Sequence, residues 1–180
     1  MHSDLLESVE VDRLSGIPLA SFDCGRDDQN HFFREQSWTD QVERLSTTYT
    51  FQVHGVTAAF ATICMDALPL SRRERGPAIR YHHVSALKLA QLGVDRTFQG
   101  EGIGRAAVSF VLELAYDIGE NVGCRYVTLD AQPELEEWYA ARGFVKNRLA
   151  HEQRVADAIR HQRDPAAIAV SMRFDLRPTV

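Results

Sequence analysis

L-G-V-D-R-T-F-Q-G-E-G-I-G-R, Leu92 to Arg105, decides how the chain is read. An apolar, strand-like run closes at Val94, and a short polar connection follows it. Gly100, Gly102 and Gly104 then alternate, and an apolar helical pattern starts directly behind them. Strand, glycine turn and helix start together make an anion cradle. The first N–H groups of a helix have no internal partner, and the helix dipole adds partial positive charge there. Glycines let a phosphate approach those N–H groups because no Cβ stands in the way. The stretch predicts a pyrophosphate site. No Lys-Ser or Lys-Thr follows the glycines, which argues against a nucleoside-triphosphate loop. The spacing is G-x-G-x-G, mid-chain and without an early βαβ unit, a weak fit to a dinucleotide fold. A kinase-type glycine loop runs on into a strand, whereas this one runs into a helix.

Gln99-Gly100-Glu101-Gly102-Ile103-Gly104 resembles the Q/R-x-x-G-x-G/A signature of the GNAT superfamily of acyl-CoA N-acyltransferases. Further on, Glu137-Trp138-Tyr139-Ala140-Ala141-Arg142-Gly143-Phe144 resembles that family's second signature, an aromatic-Tyr pair shortly before Gly-Phe. The two occur in order, separated by a predicted helix and strand. The alternative for the first motif is a glycine turn that only packs a helix on a sheet.

With 180 residues the chain is long enough for one domain with a substantial core, and 1–180 is read as a single domain. No apolar run approaches membrane-spanning length, and the acidic N-terminus lacks a signal-peptide core. Cys24, Cys64 and Cys124 are far apart and form no C-x-x-C pattern, which suits a reducing cytoplasm and argues against structural zinc. His82-His83 has no further ligand at metal spacing, so no metal is expected. The formal net charge is −5. It is uneven: residues 1–43 carry ten acidic and three basic side chains, the remainder fifteen acidic and seventeen basic. A basic surface away from the N-terminal quarter is compatible with that balance.

Along the chain, Val9–Leu14 reads as a first strand, and Asp27 or Asp28 as the cap of a helix reaching Trp38 with Phe32, Phe33 and Trp38 on its buried side. Thr47–His54 and Val56–Met65 read as a hairpin turning at Gly55. Asp66–Arg80 reads as a loop rich in Arg72, Arg73, Arg75 and Arg80, with Glu74 the single acid after Asp66, either a solvated loop or a basic lip beside an acceptor site. Val84–Val94 is the strand feeding the glycine turn. Gly102–Gly119 is a helix with Ile103, Ala107, Phe110, Val111, Leu114 and Ile118 on its core face. Cys124–Ala131 is a buried strand. Pro133 opens a short helix on which Leu135, Trp138 and Tyr139 share a face, and Gly143 stops it. Asn147–Pro165 reads as an irregular or partly helical excursion, and Ala167–Leu176 alternates and closes the sheet. The order predicts an α+β (mixed α/β) fold with one central mixed β-sheet flanked by helices.

The resemblance adds specific expectations. In the GNAT fold the strands feeding the two helices splay apart, and the pantetheine arm of acetyl-CoA pairs with the backbone of the first. Carried over, Leu92, Gly93 and Val94 line that arm. The N–H groups of Gln99, Gly100, Glu101, Gly102, Ile103, Gly104 and Arg105 hold the pyrophosphate, with charge added by the Arg105 side chain. Tyr139 is the general acid for the departing thiolate, a phenol of pKa near 10; the alternative is that Tyr139 only packs beside Leu135. Many GNAT enzymes place a Glu base on the strand before the turn. Here that strand offers Lys88 and Gln91, with no carboxylate until Asp95 and with Asp130 as a fallback that reads better as a capping or surface group. An acceptor α-amine, with pKa about 7.7–8.0, needs no base at neutral pH, whereas a lysine-like amine does.

The Phe22-Asp23-Cys24-Gly25 turn before a helix, and the Leu68-Pro69 loop with its arginines, resemble the toxin branch of GNAT proteins. That branch acetylates the α-amine of aminoacyl-tRNA and pairs with a small antitoxin. The implied partners are therefore an amine acceptor, tRNA and an antitoxin, with a homodimer compatible and no membrane involved. The overall negative charge runs against tRNA binding. Two other readings remain open here: the same chemistry on a small-molecule or peptide amine, and a non-catalytic acyl-CoA-binding module.

Overall fold

The computed structural model describes residues 6–18 and 21–177. Strands β1 (Val9–Arg13), β2 (Thr47–Val53), β3 (Val56–Pro69), β4 (His83–Val94), β5 (Tyr126–Ala131), β6 (Val145–Lys146) and β7 (Val170–Asp175) form one seven-stranded mixed sheet in the order β1-β2-β3-β4-β5-β7-β6. Helices α1 (Asp27–His31), α2 (Ser37–Val42), α3 (Arg72–Arg75), α4 (Ile103–Val122), α5 (Glu136–Ala140) and α6 (Arg148–Arg160) accompany it. This is the α+β architecture expected from the order of elements. By contact the chain divides into two compact units, Met1–Cys64 with Leu89–Leu114, and Met65–Lys88 with Ala115–Val180.

In the first unit, β1 and β2 pair antiparallel from Val9↔Val53 to Arg13↔Tyr49, and β2 pairs with β3 through a hairpin at His54-Gly55. Both turn residues have positive φ, +52° and +77°, as a two-residue hairpin requires. One face of this hairpin meets α4, where the Phe110 ring lies 4.9 Å from Tyr49 and 5.7 Å from Phe51. The other face carries Phe60, stacked on Phe33 at 4.3 Å and met edge-on by Phe22 at 5.4 Å. Such ring pairs add about 0.5–1.5 kcal/mol each beyond area burial. Gly93 of β4 lies against this cluster: a Cβ there would sit 2.5 Å from Phe60 Cε1, so only glycine fits beneath the ring.

The N-terminal helix differs from its expectation. Asp27 and Asp28 sit in the first turn of α1, and Arg26 occupies the cap without a side-chain cap bond. The helix then loosens into a π-helical turn over Phe32–Gln36 before α2. Ser37 Oγ donates to the Phe33 carbonyl at 2.6 Å within this turn. The extra residue lets Phe33 point into the core while Phe32 stays partly exposed. On α4 the buried line is Ile103, Ala107, Val108, Val111 and Ala115, with Leu114 and Ile118 only half-buried.

In the second unit, β5 and β7 pair antiparallel from Tyr126↔Asp175 to Ala131↔Val170, and β6 adds two residues to β7. Leu68, Leu70, Ala86 and Tyr126 form its local core with Ile79 and Val84. β3 extends past the expected Met65 to Pro69 because Asp66 is not a loop residue: its carboxylate accepts from Thr128 Oγ1 at 2.6 Å and from Ala67 N–H at 2.8 Å. The excursion after Asn147 contains a regular thirteen-residue helix, α6, in which only Ala158 is buried. Its polar sequence hides it. The helix is held at its start by Arg148 N–H donating to Glu74 at 3.1 Å and at mid-length by Arg154 on Asp130.

Candidate functional site

The first unit presents the glycine turn. β4 ends at Val94, and Asp95 caps a single 3₁₀ turn, Arg96–Phe98, by accepting from Thr97 N–H at 2.9 Å. Asp95 also accepts from Asp23 N–H at 2.9 Å, and Arg96 N–H donates to the Asp23 carbonyl at 2.9 Å. Burial alone would raise the Asp95 carboxyl, but these hydrogen bonds outweigh it and hold it below the usual range. Gln99 Nε2 donates to the carbonyls of Cys24 (3.1 Å) and Val94 (2.9 Å). The Gln99 side chain is thus a structural tie, joining the Phe22–Gly25 turn to the end of β4. The amide is committed to protein carbonyls.

The turn itself is exposed. Gly100 is at the surface and Gly102 is half-buried. Gly102 has φ +86°, a backbone conformation that side chains resist, and a Cβ there would meet Leu6 at 3.4 Å. Glu101 N–H makes a long bond of 3.4 Å to the Phe98 carbonyl. The helical ladder begins with Ala106 N–H on the Gly102 carbonyl, so the N–H groups of Ile103, Gly104 and Arg105 lie ahead of it. Arg105 is exposed and has no ion pair among the described residues. Val94, one of the expected pantetheine partners, has its carbonyl occupied by Gln99.

The second unit carries the phenol. Pro133 opens a 3₁₀ turn, Pro133–Leu135, that runs into α5. Tyr139 is 7% exposed and Leu135 is 40% exposed, so the expected shared face is split: Tyr139 packs inward on Phe144 (5.7 Å) and Trp138 (4.8 Å), while Leu135 faces water. Among the described residues the Tyr139 hydroxyl has no hydrogen-bond partner. Burial pushes its pKa up to about 12, and the Arg142 charge pulls the other way. At neutral pH it is a protonated donor.

Residues 76–163, which span both signatures, match the family model of the acetyltransferase (GNAT) domain. The chain carries a GNAT acetyltransferase domain. As such it is an acyltransferase. No curated protein matches it in sequence. Among solved structures, a crystal structure of a bacterial toxin is 20% identical with TM-score 0.74, covering 93% of this chain and 90% of that one. A tyrosine-to-phenylalanine mutant of the toxin AtaT, bound to the C-terminus of the antitoxin AtaR and acetyl-CoA, is 16% identical with TM-score 0.69, covering 94% of each chain. AtaT complexed with acetyl-methionyl-tRNAfMet is 19% identical with TM-score 0.69, covering 77% of this chain and 87% of that one. At these identities the likeness establishes the GNAT fold over nearly the whole chain.

Two further clusters of charged groups lie in the second unit. The arginine stretch is an ordered lobe, closed at its base by Leu70 N–H on the His82 carbonyl at 3.1 Å. Ser71 and Glu74 form a capping box on α3. Glu74 also accepts from Arg148 N–H and pairs with Arg173 at 3.3 Å, with side chains only 13% and 10% exposed. The lobe's one acid is therefore turned inward, while Arg72, Arg73 and Arg80 are exposed and have no ion pair among the described residues. Tyr81, 76% exposed, and the neighbouring His82 and His83 rings complete the surface. Among the described residues no three His, Cys, Asp or Glu side chains gather as a metal site.

Asp130 is neither a cap nor a lone surface group. It accepts from Lys88 Nζ at 2.8 Å and from Arg154 Nη1 at 2.5 Å, beside a cavity of about 280 Å³ also lined by Asp66, Thr128 and Ser171. Burial would raise its carboxyl, but Arg154 and Lys88 together lower it below its ordinary value. So poised, it is a poor base. It contributes stability above the unfolded carboxyl pKa, and this is lost as pH falls through the depressed folded value. Asp130→Asn is expected to cost about 1–3 kcal/mol at pH 7, since two cations then face each other without their anion. In urea titrations the gap to the parent should close toward pH 3; a gap that stays constant with pH would assign it to packing instead.

Proposed function

We propose that the protein transfers an acetyl group from acetyl-CoA directly to a primary amine, and that the acceptor is the α-amine of an aminoacyl-tRNA. On this reading residues 1–180 act as one acetyltransferase domain in the cytoplasm. The Gly100–Arg105 turn binds the pyrophosphate, and the backbone of Leu92 to Val94 receives the pantetheine arm. Tyr139 supplies the proton for the departing sulfur. The observation that carries the acceptor is the lobe of residues 70–83. Its acid is consumed internally, and what it offers outward is three guanidinium groups with no ion pair among the described residues and an exposed tyrosine, the combination that tracks a phosphate backbone and stacks bases. This local charge answers the objection from net charge. AtaT, of the same fold, is complexed with an acetylated aminoacyl-tRNA in one structure and with the antitoxin AtaR in another, which supports a charged tRNA and a small antitoxin as partners. The missing carboxylate base agrees with an α-amine, which is largely neutral near pH 8. Lys88, on the strand where a base is expected, is bound to Asp130 at 2.8 Å.

The test is acetylation of bulk aminoacyl-tRNA by labelled acetyl-CoA. Replacing Arg72, Arg73 and Arg80 together by Gln is expected to raise KM for charged tRNA tenfold or more. The salt slope of binding should fall by about 2, roughly 0.7 for each lost phosphate contact, with KM for acetyl-CoA unchanged. An unaltered salt slope would remove the lobe from the interface. A second reading, a small amine acceptor, rests on the cavity whose lining sets Asp66 and Asp157 beside the Lys88–Asp130–Arg154 cluster. It predicts CoA release with polyamines and none with charged tRNA.

A further inference from the structure

Several guanidinium groups bind a phosphate backbone tightly only where their own backbone is already ordered, since ordering it on binding subtracts from affinity. Little in the local sequence of residues 70–83 supplies that order. α3 is four residues long, far short of the ~12–15 at which an isolated helix becomes marginal, and Gly76 at φ +62° ends it. The base of the lobe is apolar: Leu70 is buried with Leu68, Ala86 and Tyr126, and Ile79 and Val84 pack on them. Within the lobe, Arg75 Nη1 donates to the Arg80 carbonyl at 3.3 Å. Among the described residues, every hydrogen bond and ion pair that joins α3 to another element involves one side chain, Glu74.

The two oxygens of Glu74 divide the task. Oε2 serves α3, accepting from Ser71 N–H at 3.1 Å and from Ser71 Oγ at 2.7 Å. Oε1 serves the rest of the unit, accepting from the Arg148 N–H that opens α6 at 3.1 Å and from Arg173 Nη1 of β7 at 3.3 Å. Arg173 is itself set by neutral groups. It donates to Asn147 Oδ1 at 2.7 Å and to the Lys146 carbonyl at 3.4 Å, and its guanidinium lies 5.8 Å from the centre of the Tyr126 ring. Asn147 is fully buried and donates to the Ser171 hydroxyl at 3.0 Å. The receiving side is thus fixed by contacts outside the lobe, and the Glu74 carboxylate brings it an anion. Burial alone would raise the Glu74 carboxyl, but the Ser71 hydrogen bonds, Arg173 and the Arg148 N–H hold it below its ordinary value.

We propose that Glu74 is a positioning residue for the acceptor: its carboxylate docks α3 on the start of α6 and on β7, and so holds Arg72, Arg73 and Arg80 as one array for the phosphates of charged tRNA. The inference rests on the lobe being the surface that meets tRNA. Glutamine in its place has one oxygen for two tasks. It can keep the cap on α3 or answer Arg148 and Arg173, and it brings no charge to Arg173. The lobe then leaves its dock part of the time, and tRNA binding has to order it again.

The test compares the parent, Glu74→Gln, the variant with Arg72, Arg73 and Arg80 all replaced by Gln, and the two combined. Each is measured for binding of bulk aminoacyl-tRNA without acetyl-CoA at one fixed salt concentration, for KM of acetyl-CoA by thiol release, and for thermal melting. Glu74→Gln is expected to weaken tRNA binding about tenfold and to leave KM for acetyl-CoA within about twofold. In the background lacking the lobe arginines it should weaken binding less than about twofold, since no array is left to position. Limited trypsin digestion gives a second readout: the first cuts in Glu74→Gln should move into residues 72–80. Should Glu74→Gln melt below the assay temperature, Arg173→Gln, which leaves the capping box intact, takes its place with the same expectations. Undiminished tRNA binding, unchanged first cuts, or an equal loss with and without the lobe arginines would each overturn the inference. A triple-arginine variant that binds tRNA as the parent does would instead overturn the acceptor reading beneath it.

Discussion

Tyr139→Phe is expected to lower kcat by about 10²–10³-fold while leaving acetyl-CoA affinity within twofold. The substitution removes one oxygen from a side chain whose ring is packed on Trp138 and Phe144 and whose hydroxyl has no hydrogen-bond partner among the described residues. Phenylalanine keeps both ring contacts, so folding should hold; with no buried hydrogen bond lost, the melt should move by no more than a few degrees. What disappears is the proton. At pKa about 12 the phenol remains protonated across the working pH range, so its donor function has no alkaline limb below pH 10. A pH profile of the parent should therefore rise as the acceptor amine is deprotonated, then stay level. A phenylalanine variant with full turnover would remove Tyr139 from the chemistry, and a variant that loses acetyl-CoA binding would make it a binding residue.

The second large effect belongs to the turn. Gly102→Val is expected to abolish measurable acetyl-CoA binding in calorimetry, but it carries a confounding cost. At φ +86° a β-branched residue is strained by about 1–2 kcal/mol before any ligand arrives, although its Cβ would make only ordinary contact with Leu6. Gly104 separates the two effects. It lies inside α4, where alanine is a better helix former by about 1 kcal/mol. Gly104→Ala should therefore raise the melting temperature slightly. Yet the new methyl occupies the first helical turn, where a phosphate would approach the backbone. Two charge-assisted bonds lost together amount to about 3 kcal/mol, roughly a hundredfold in Kd. A more stable protein that binds acetyl-CoA less well is the expected signature. Unchanged affinity in Gly104→Ala would rule out the cradle.

Where a strand or helix buries an apolar face, its position was readable from one sequence. β2, β4, β5, β7 and α4 appear within a few residues of their periodic patterns, because burial imposes that period on side-chain type. Short elements with polar faces were not. α6 buries only Ala158, and what holds it is Glu74 and Asp130, one of them 74 positions from its helical partner in sequence. The π-helical turn at Phe32–Gln36 left no mark in composition, since it adds one residue per turn without changing which residues are apolar. Arg142 was visible only as the i+4 neighbour of Trp138, a spacing that gains meaning when the guanidinium is seen on the ring.

Residue order by itself determined the glycine turn between strand and helix and the Trp138-Tyr139 pair ahead of Gly143-Phe144, and with them the family. Those are local patterns, set by backbone freedom and helical spacing among near neighbours. Tertiary structure decided what each side chain does. It gave Gln99 to two carbonyls, buried Tyr139, turned Glu74 inward so that the lobe's arginines stand unopposed, and tied Asp130 to two cations. Hydrogen bonds and charges act through space, and their partners here come from distant parts of the chain, so no window along it contains both ends of the interaction.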